Sequence, residues 1–344
     1  VVATGEHGLI RVGTGDWSDG IVFEAPLDKH DFVAETGESV PNTQMAIAVL
    51  PRIAAAIEAH DAALAAEIRG RVQAYRGALP TAWGGQFFGR AYFGDGVLVR
   101  GDEIDLEAQV WALIGESFAS STDRDTTLEA IFTTLDEPSP AGATLRKDGQ
   151  VWPAISALLT EGYAVTEPEL AWSHFKRNTL FGHALAYPDT WFGIWDAPDG
   201  MNGPAGDRPG GTWFSVVTPM TDYPVQNNNA HAMPLYAALR MAGLKATGQG
   251  LSVAPKIPGH DFALKTMLVD VERSETSLRI RYTPRGPSAR VVEVAPPPGT
   301  IITAAYLDGG ERAIDSDELA RFFVVGGDGR SFDFEVTLAP VSSP

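Results

Sequence analysis

From residue 38 to residue 78, Ala, Ile, Leu and Val recur at the spacing that places side chains on one face of a helix. The pattern predicts a helix over 38–60, kinked at Pro51, and a second over 62–78 that Asp61 caps and that stops before Pro80. Together they read as an antiparallel hairpin. Further helical runs cover 105–118 and 122–135, one opens at Pro153, one covers 168–186 with Pro168 in its first turn, and a seventh covers 230–241. Two interruptions stand out. Aromatic residues flank Gly94-Asp95-Gly96 within 83–100, which predicts two short strands around a tight turn. Residues 187–226 form a long loop carrying Trp191, Trp195, Asp196, Asp199, Arg208 and Trp213, and long loops inside folded domains usually serve function.

After Gly243 the pattern changes to short alternating runs at 262–271, 278–283, 290–294, 301–307, 321–325 and 332–338, the spacing of an antiparallel β-sandwich. Gly and Pro cluster over 246–258, so we place a boundary between a helical region, 1–245, and a sandwich, 246–344. All eight tryptophans lie in the helical region, which leaves the sandwich as a structural cap.

Composition narrows the class of function. Of 344 residues, 44% are hydrophobic and 20% charged, as in globular proteins. A net charge of −18 repels phosphate backbones, so no nucleic-acid partner is expected. No apolar run reaches the length of a membrane span, so no membrane partner is expected either. The absence of cysteine excludes disulfide and thiolate chemistry. The chain opens Val1-Val2-Ala3, which suggests a processed start or a portion of something longer.

Candidate chemistry concentrates in Gly15-Asp16-Trp17-Ser18-Asp19-Gly20, where two carboxylates flank an indole among turn residues. An acid beside an aromatic face suits glycosidic cleavage: the acid protonates the leaving oxygen while the ring packs on the sugar. Such an acid must hold a proton near neutrality, which burial beside Trp17 and repulsion from Asp16 would favour for Asp19. The plainer reading is an Asx turn with a packing Trp.

Four stretches in order resemble the cellobiose and chitobiose phosphorylase family of inverting enzymes. They are Asp16-Trp17-Ser18-Asp19, Glu38-Ser39-Val40, Trp83-Gly84 with Arg90-Ala91-Tyr92-Phe93-Gly94-Asp95-Gly96, and Gln109-Val110-Trp111-Ala112. The resemblance spans roughly residues 5–245. It implies a six-hairpin α/α toroid followed by a β-sandwich, Asp19 as proton donor, Trp17 in a sugar subsite and Asp16 as a loop-shaping or sugar-binding residue. A closed toroid of that kind has twelve helices against the seven read here, so the toroid is expected to be incomplete in this chain. An N-terminal half of the same enzyme, as a separate chain, is the expected partner.

The family's phosphate-holding Thr-Gly-Ser segment is replaced here by Gln226-Asn227-Asn228-Asn229-Ala230-His231. Asn228 and His231 are therefore the candidates there, with His183, Arg90 and Arg208 as further cationic groups. If water replaces phosphate, a base carboxylate is needed, and Asp196, Asp199 and Glu167 are available. Trp83, Tyr92, Trp191, Trp195 and Trp213 are the candidate sugar-stacking walls. No metal or nucleotide motif occurs, so no cofactor is expected beyond inorganic phosphate as co-substrate. The reading is a carbohydrate-active enzyme cleaving a β-linked di- or oligosaccharide by phosphorolysis, cytoplasmic if so. Hydrolysis, or a non-catalytic sugar-binding or scaffold role in a split enzyme, are the alternatives.

Overall fold

The computed structural model describes residues 3–190, 199–214, 228–259, 261–327 and 329–341, with no side-chain description at 228–231. Two units divide the chain, Val1–Ala237 and Ala238–Pro344. The boundary read from the sequence, between 245 and 246, falls inside a strand of the second unit.

In the first unit, α1 (His30–Thr36), α2 (Val40–Ile57), α3 (Ala62–Ala78), α4 (Glu107–Ile114), α5 (Ser121–Ile131), α6 (Pro153–Tyr163), α7 (Pro168–Arg177) and α8 (Leu180–Ala186) follow in order. Helix α9 (Asn228–Met241) comes next. The α2–α3 hairpin forms as its caps dictate. Ser39 accepts from the Asn42 amide, Asp61 from the Leu64 amide, and Arg69 pairs with Glu58 across the turn. Helix α2 packs on α4 and α4 on α6, while α3 packs on α2 and α7 on α6. The helices α2, α4 and α6 thus form one row, with α3 packed on α2 and α7 on α6. Leu9, Ile47, Tyr75, Leu79, Phe88 and Ala112 fill the core between α2, α3 and α4.

The helical reading needs four corrections. Residues 38–39 are a strand, so α2 starts at Val40. The polar stretch before it contains α1, which buries only Val33 and so carries almost no hydrophobic signal. The 122–135 run leaves the α-helical track at Phe132–Asp136, a π-helical turn. The 168–186 run breaks at Asn178, where Thr179 caps α8 by accepting from the Gly182 amide.

Four short strands, β1 (Ile10–Arg11), β2 (Glu38–Ser39), β3 (Ala91–Tyr92) and β4 (Leu98–Val99), pair antiparallel in that order. Gly94 and Gly96, at φ of 84° and 76°, make the tight turn between β3 and β4 that the sequence predicts. This small sheet brings 10–11, 38–39 and 91–92 side by side at the start of α2.

The second unit holds β5 (Leu244–Thr247), β6 (Gly250–Val253), β7 (Phe262–Lys265), β8 (Val269–Arg273), β9 (Ser277–Tyr282), β10 (Ala289–Val294), β11 (Thr300–Leu307), β12 (Gly310–Arg312), β13 (Ala320–Val325) and β14 (Phe332–Pro340). They form a four-stranded sheet, β13-β10-β6-β5, and a six-stranded sheet, β12-β11-β14-β9-β8-β7. All pairings are antiparallel except β10 with β6. The run at 262–271 is two strands, because Thr266 closes a turn by accepting from the Leu268 and Val269 amides. The β5–β6 hairpin was hidden by the Gly-rich composition of its turn.

Alternation along β13 and β14 buries Phe322, Val324, Phe332, Phe334 and Val336 and turns Arg321, Asp333 and Glu335 outward. Phe334 is 1% exposed with its ring 5.0 Å from Phe322, whereas Phe323, one residue along, is 75% exposed. Phe334→Ala is expected to cost about 3–5 kcal/mol, and Phe323→Ala within about 0.5 kcal/mol of nothing. Urea unfolding of the two variants measures the contrast; equal losses would contradict this assignment of faces.

Candidate functional site

The loop between β1 and α1 doubles back on itself. Gly15 lies against Asp19, since a Cβ there would sit 3.2 Å from the Asp19 Cα. The Asp16 carboxylate accepts from the Ser18 amide at 3.0 Å, an Asx turn, and Ile21 N–H donates to the Ser18 carbonyl at 3.0 Å. Trp17 is 42% exposed and Asp19 is exposed. No side-chain hydrogen bond or ion pair ties the Asp19 carboxylate to another residue among those described. Asp16 points the other way, into the fold.

There it meets Arg90, which stands directly before β3 and is completely buried. Arg90 Nη1 donates to Asp16 Oδ2 at 2.7 Å and Nη2 to Oδ1 at 2.6 Å, a two-pronged pairing. The same guanidinium donates through Nε and Nη2 to Glu107 Oε2, at 3.0 and 2.6 Å. Ser39 Oγ donates to Asp16 Oδ2 at 2.6 Å while accepting from the first turn of α2. Asp105 completes the cluster: it accepts from the Glu107 amide and pairs with Arg100, which in turn pairs with Glu24. One cation therefore joins the 15–20 loop, the entry to β3 and the start of α4, while Ser39 brings in α2.

The electrostatics follow from burial set against pairing. Burial would raise the Asp16 carboxyl, but hydrogen bonds and charge from Arg90, with Ser39 and the Ser18 amide, outweigh it and hold the group below the usual carboxylate range. Burial would likewise lower Arg90, and the charges of Glu107, Asp16 and Asp105 overcome it and hold the guanidinium above its ordinary value. Glu107 goes the other way: burial dominates, Asp105 and Asp16 repel its charge, and its carboxyl is pushed up to about 7 despite Arg90.

Several other candidates have structural partners. Tyr92 is buried, its ring stacked 3.7 Å from that of His7 and its hydroxyl donating to the Thr81 carbonyl. Trp83 packs edge-on against Phe88 and Phe118 in the first core. Trp213 lies half-buried, edge-on to Trp152. Arg90 itself, expected at a sugar or phosphate, has its donors turned to carboxylates. His183 is fully buried, and burial pushes its imidazole down to about 4, so it is neutral at pH 7 and no anchor for phosphate.

Glu167 is exposed at the start of α7, Arg208 is exposed in the 203–211 turns, and Asp199 is half-buried before Gly200. Trp191, Trp195 and Asp196 lie outside the described residues, as do the side chains of Asn228 and His231, whose backbones open α9. Of the sequence candidates, Asp16, Trp17, Asp19 and Arg90 come together.

Sequence reasoning missed Glu107 and gave Glu38 no role. Glu38 is 1% exposed and accepts from the Leu9 amide at 2.9 Å and from His7 Nδ1 at 2.6 Å. A signal for Glu107 was present: the Asp105-Leu106-Glu107 acids sit just ahead of the matched Gln109, with Arg90 unaccounted for. Gln109 also belongs to the scaffold, accepting from the Phe88 amide and donating to the Phe88 carbonyl. Among the described residues no group of three or more acidic or histidine side chains is placed to hold a metal. Chemically, the arrangement presents one solvent-facing carboxyl and one indole on a loop whose root is fixed by charge.

No protein-family model and no curated protein matches the sequence. Solved structures it is similar to include glycoside hydrolases. An α-L-rhamnosidase from Dictyoglumus thermophilum shares 11% identity at a TM-score of 0.40, covering 79% of this chain and 29% of that one. A GH127 β-L-arabinofuranosidase from Geobacillus stearothermophilus T6 shares 11% identity at a TM-score of 0.28, covering 68% of this chain and 41% of that one. The chain spans less than half of either protein, and likeness of this degree identifies neither a family nor an activity.

Glu107 and Asp16 make opposite contributions to the dependence of stability on pH. With its folded carboxyl at about 7, Glu107 keeps a proton that the unfolded chain gives up near its ordinary value, so stability declines between about pH 4.5 and 7. Asp16, held below its ordinary value, contributes fully above about pH 4 and loses that contribution as pH falls through its folded value. Glu107→Gln keeps an acceptor for Arg90 and is expected to flatten the decline above about pH 4.5 while leaving the acid limb in place. Urea midpoints across this range measure both limbs; an unchanged slope above about pH 4.5 in the variant would contradict the proton on Glu107.

Proposed function

We propose that this chain is the acid-bearing portion of a carbohydrate-active enzyme that cleaves a β-glycosidic bond with inversion, Asp19 protonating the leaving oxygen and inorganic phosphate attacking the anomeric carbon. The observation that carries this reading is convergence. The stretches on which the phosphorylase resemblance rests are far apart in sequence, yet Asp16, Ser39 and Arg90, from three of them, meet in one hydrogen-bonded cluster, which Glu107, two residues before the fourth, completes. Gln109 is tied to Phe88 in the same region. Segments that matched only in order along the chain thus meet at the root of one loop.

That loop leaves Trp17 and Asp19 facing solvent, which suits a sugar platform better than a packing turn; the burial expected for Asp19 beside Trp17 is absent, and Asp16 is turned away to Arg90. The α2–α4–α6 row with α3 and α7 behind it is the pattern expected of an arc of an α/α toroid. The remaining helices would come from another segment or chain, and closing the ring over Asp19 would supply the burial a general acid needs. Phosphate would sit where α9 begins at Asn228, because a helix N-terminus offers free N–H groups and a favourable dipole.

Incubation with cellobiose, chitobiose and laminaribiose, with and without phosphate, tests the reaction. The α-anomer of a sugar 1-phosphate, seen by NMR only when phosphate is present, is the expected product. Free sugar formed equally well without phosphate would instead make the enzyme a hydrolase. Asp19→Asn is expected to lower turnover by roughly 10²–10⁴-fold; undiminished turnover would remove Asp19 from the mechanism.

A further inference from the structure

Helix α2 packs on α3 and on α4. Its side toward α4 is marked by Gln44, whose Nε2 donates to the Ala108 carbonyl at 2.8 Å, and by Ala48, against which a Cβ on Gly115 would lie at 3.0 Å. At about 100° per residue, Met45, Ala46, Val49 and Ile53 project from the far side of the same helix. That side is open: Met45 is 37% and Ile53 42% exposed.

The open side is concave. A groove of about 500 Å³ runs between α2 and α3, with Met45, Ala46, Val49 and Leu50 on one wall and Ile68 and Tyr75 on the other. Its lining extends from Asn42 to Leu50 on α2 and from Glu67 to Tyr75 on α3, in each case about 12 Å, or two helical turns. Leu64, 44% exposed, continues the α3 stripe one turn before Ile68. Contiguous apolar surface of this kind marks an interaction site, unlike single exposed hydrophobic residues.

The charges along it are in excess of one sign. Exposed Arg11 and Arg71 stand with a single carboxylate, Glu67, which Arg71 meets only at 3.9 Å, too long for a hydrogen bond. In a chain of net charge −18 the groove thus has a locally cationic border.

These features separate the occupants. A sugar would set its hydroxyls against Met45, Val49 and Ile68. A second copy presenting the same face would bring groove to groove and arginine to arginine, leaving the space unfilled. A helix fills an elongated apolar trough along its length, with anchors at i, i+3, i+4 and i+7. It would also stand on α2 opposite α4, extending the row of α2, α4 and α6.

We infer that the groove between α2 and α3 seats an amphipathic helix of a partner, about two turns of it, with an apolar stripe on Met45, Val49 and Ile68 and acidic residues toward Arg11 and Arg71. The inference rests on the open arc of the proposed enzyme and not on its chemistry.

The test is fluorescence-anisotropy titration of the full chain with three labelled synthetic peptides of about 18 residues, long enough to form helix in water. The first has Leu at i, i+3, i+4 and i+7 flanked by Glu, the second the same stripe flanked by Lys, and the third the composition of the first with its Leu scattered. The first is expected to bind saturably and to move the amides of Val49 and Ile68 in NMR spectra of the isotope-labelled chain. The second is expected to bind roughly 3–10-fold more weakly, and the third not to bind. Arg71→Gln should narrow the difference between the first two, a change that a general loss of folding would not produce. Binding is read without turnover, so this inference and the role of Asp19 fail separately. The inference is overturned if the first peptide does not bind, if the Lys-flanked or the scattered peptide binds as tightly, or if sedimentation shows a dimer that Met45→Glu dissociates.

Discussion

The first unit depends on a guanidinium with no access to water. Arg90 is surrounded by the carboxylates of Asp16, Glu107 and Asp105, which lie on two segments, the 15–20 loop and the start of α4. A buried ion pair adds little net stability over an apolar replacement of the same shape, because desolvation offsets the attraction. Removing one member costs much more, about 3–5 kcal/mol, since the others are left charged and dry. The cluster therefore acts through specificity. Any arrangement of loop, strand and helices that separates Arg90 from its acids is disfavoured, and that restricts where the 15–20 loop can stand.

Two neighbouring acids consequently have different fates. Asp16 is turned inward, ionised and held by Arg90 and Ser39, whereas Asp19, on the far side of the same turn, remains open. The Asx-turn reading and the acid-loop reading are therefore compatible: the turn at Asp16 is what presents Trp17 and Asp19. A similar logic operates around Asp136, where His174 and Arg177 fix a π-helical turn from within. The ring nitrogens of His174 lie 2.7 Å from the Asp136 carboxylate and 2.9 Å from the Ser156 carbonyl. In both places a buried charge cluster secures an irregular segment that regular backbone bonding could not hold.

What could be read from the sequence follows from how local each signal is. The hairpin of α2 and α3 was legible because hydrophobic period, Asp61 and Pro80 agree within a few residues. Most sandwich strands were legible from alternation, but β7 and β8 merged into one run because Met267 and Leu268 are apolar residues exposed in a turn. Helix α1 was not, since it buries a single side chain. At the site, residue types were identifiable and partners were not. Asp16 and Arg90 are 74 residues apart, and no local pattern states that they pair. Tyr92 and Trp83 look like sugar platforms by type, and only packing shows their rings to be occupied by His7 and by Phe88 and Phe118.

The central claim is that long-range charge from Arg90, and not the local Asx turn, holds the acid loop. Asp16→Asn separates the two, because an asparagine can still accept from the Ser18 amide while the ionic pairing with Arg90 is lost. Native-state hydrogen exchange reads the result at single amides. Protection of the Ser18 amide is expected to fall by about tenfold or more while the amides of β9 in the sandwich keep theirs. Unchanged protection at Ser18 would show that the turn holds itself, and would contradict the claim.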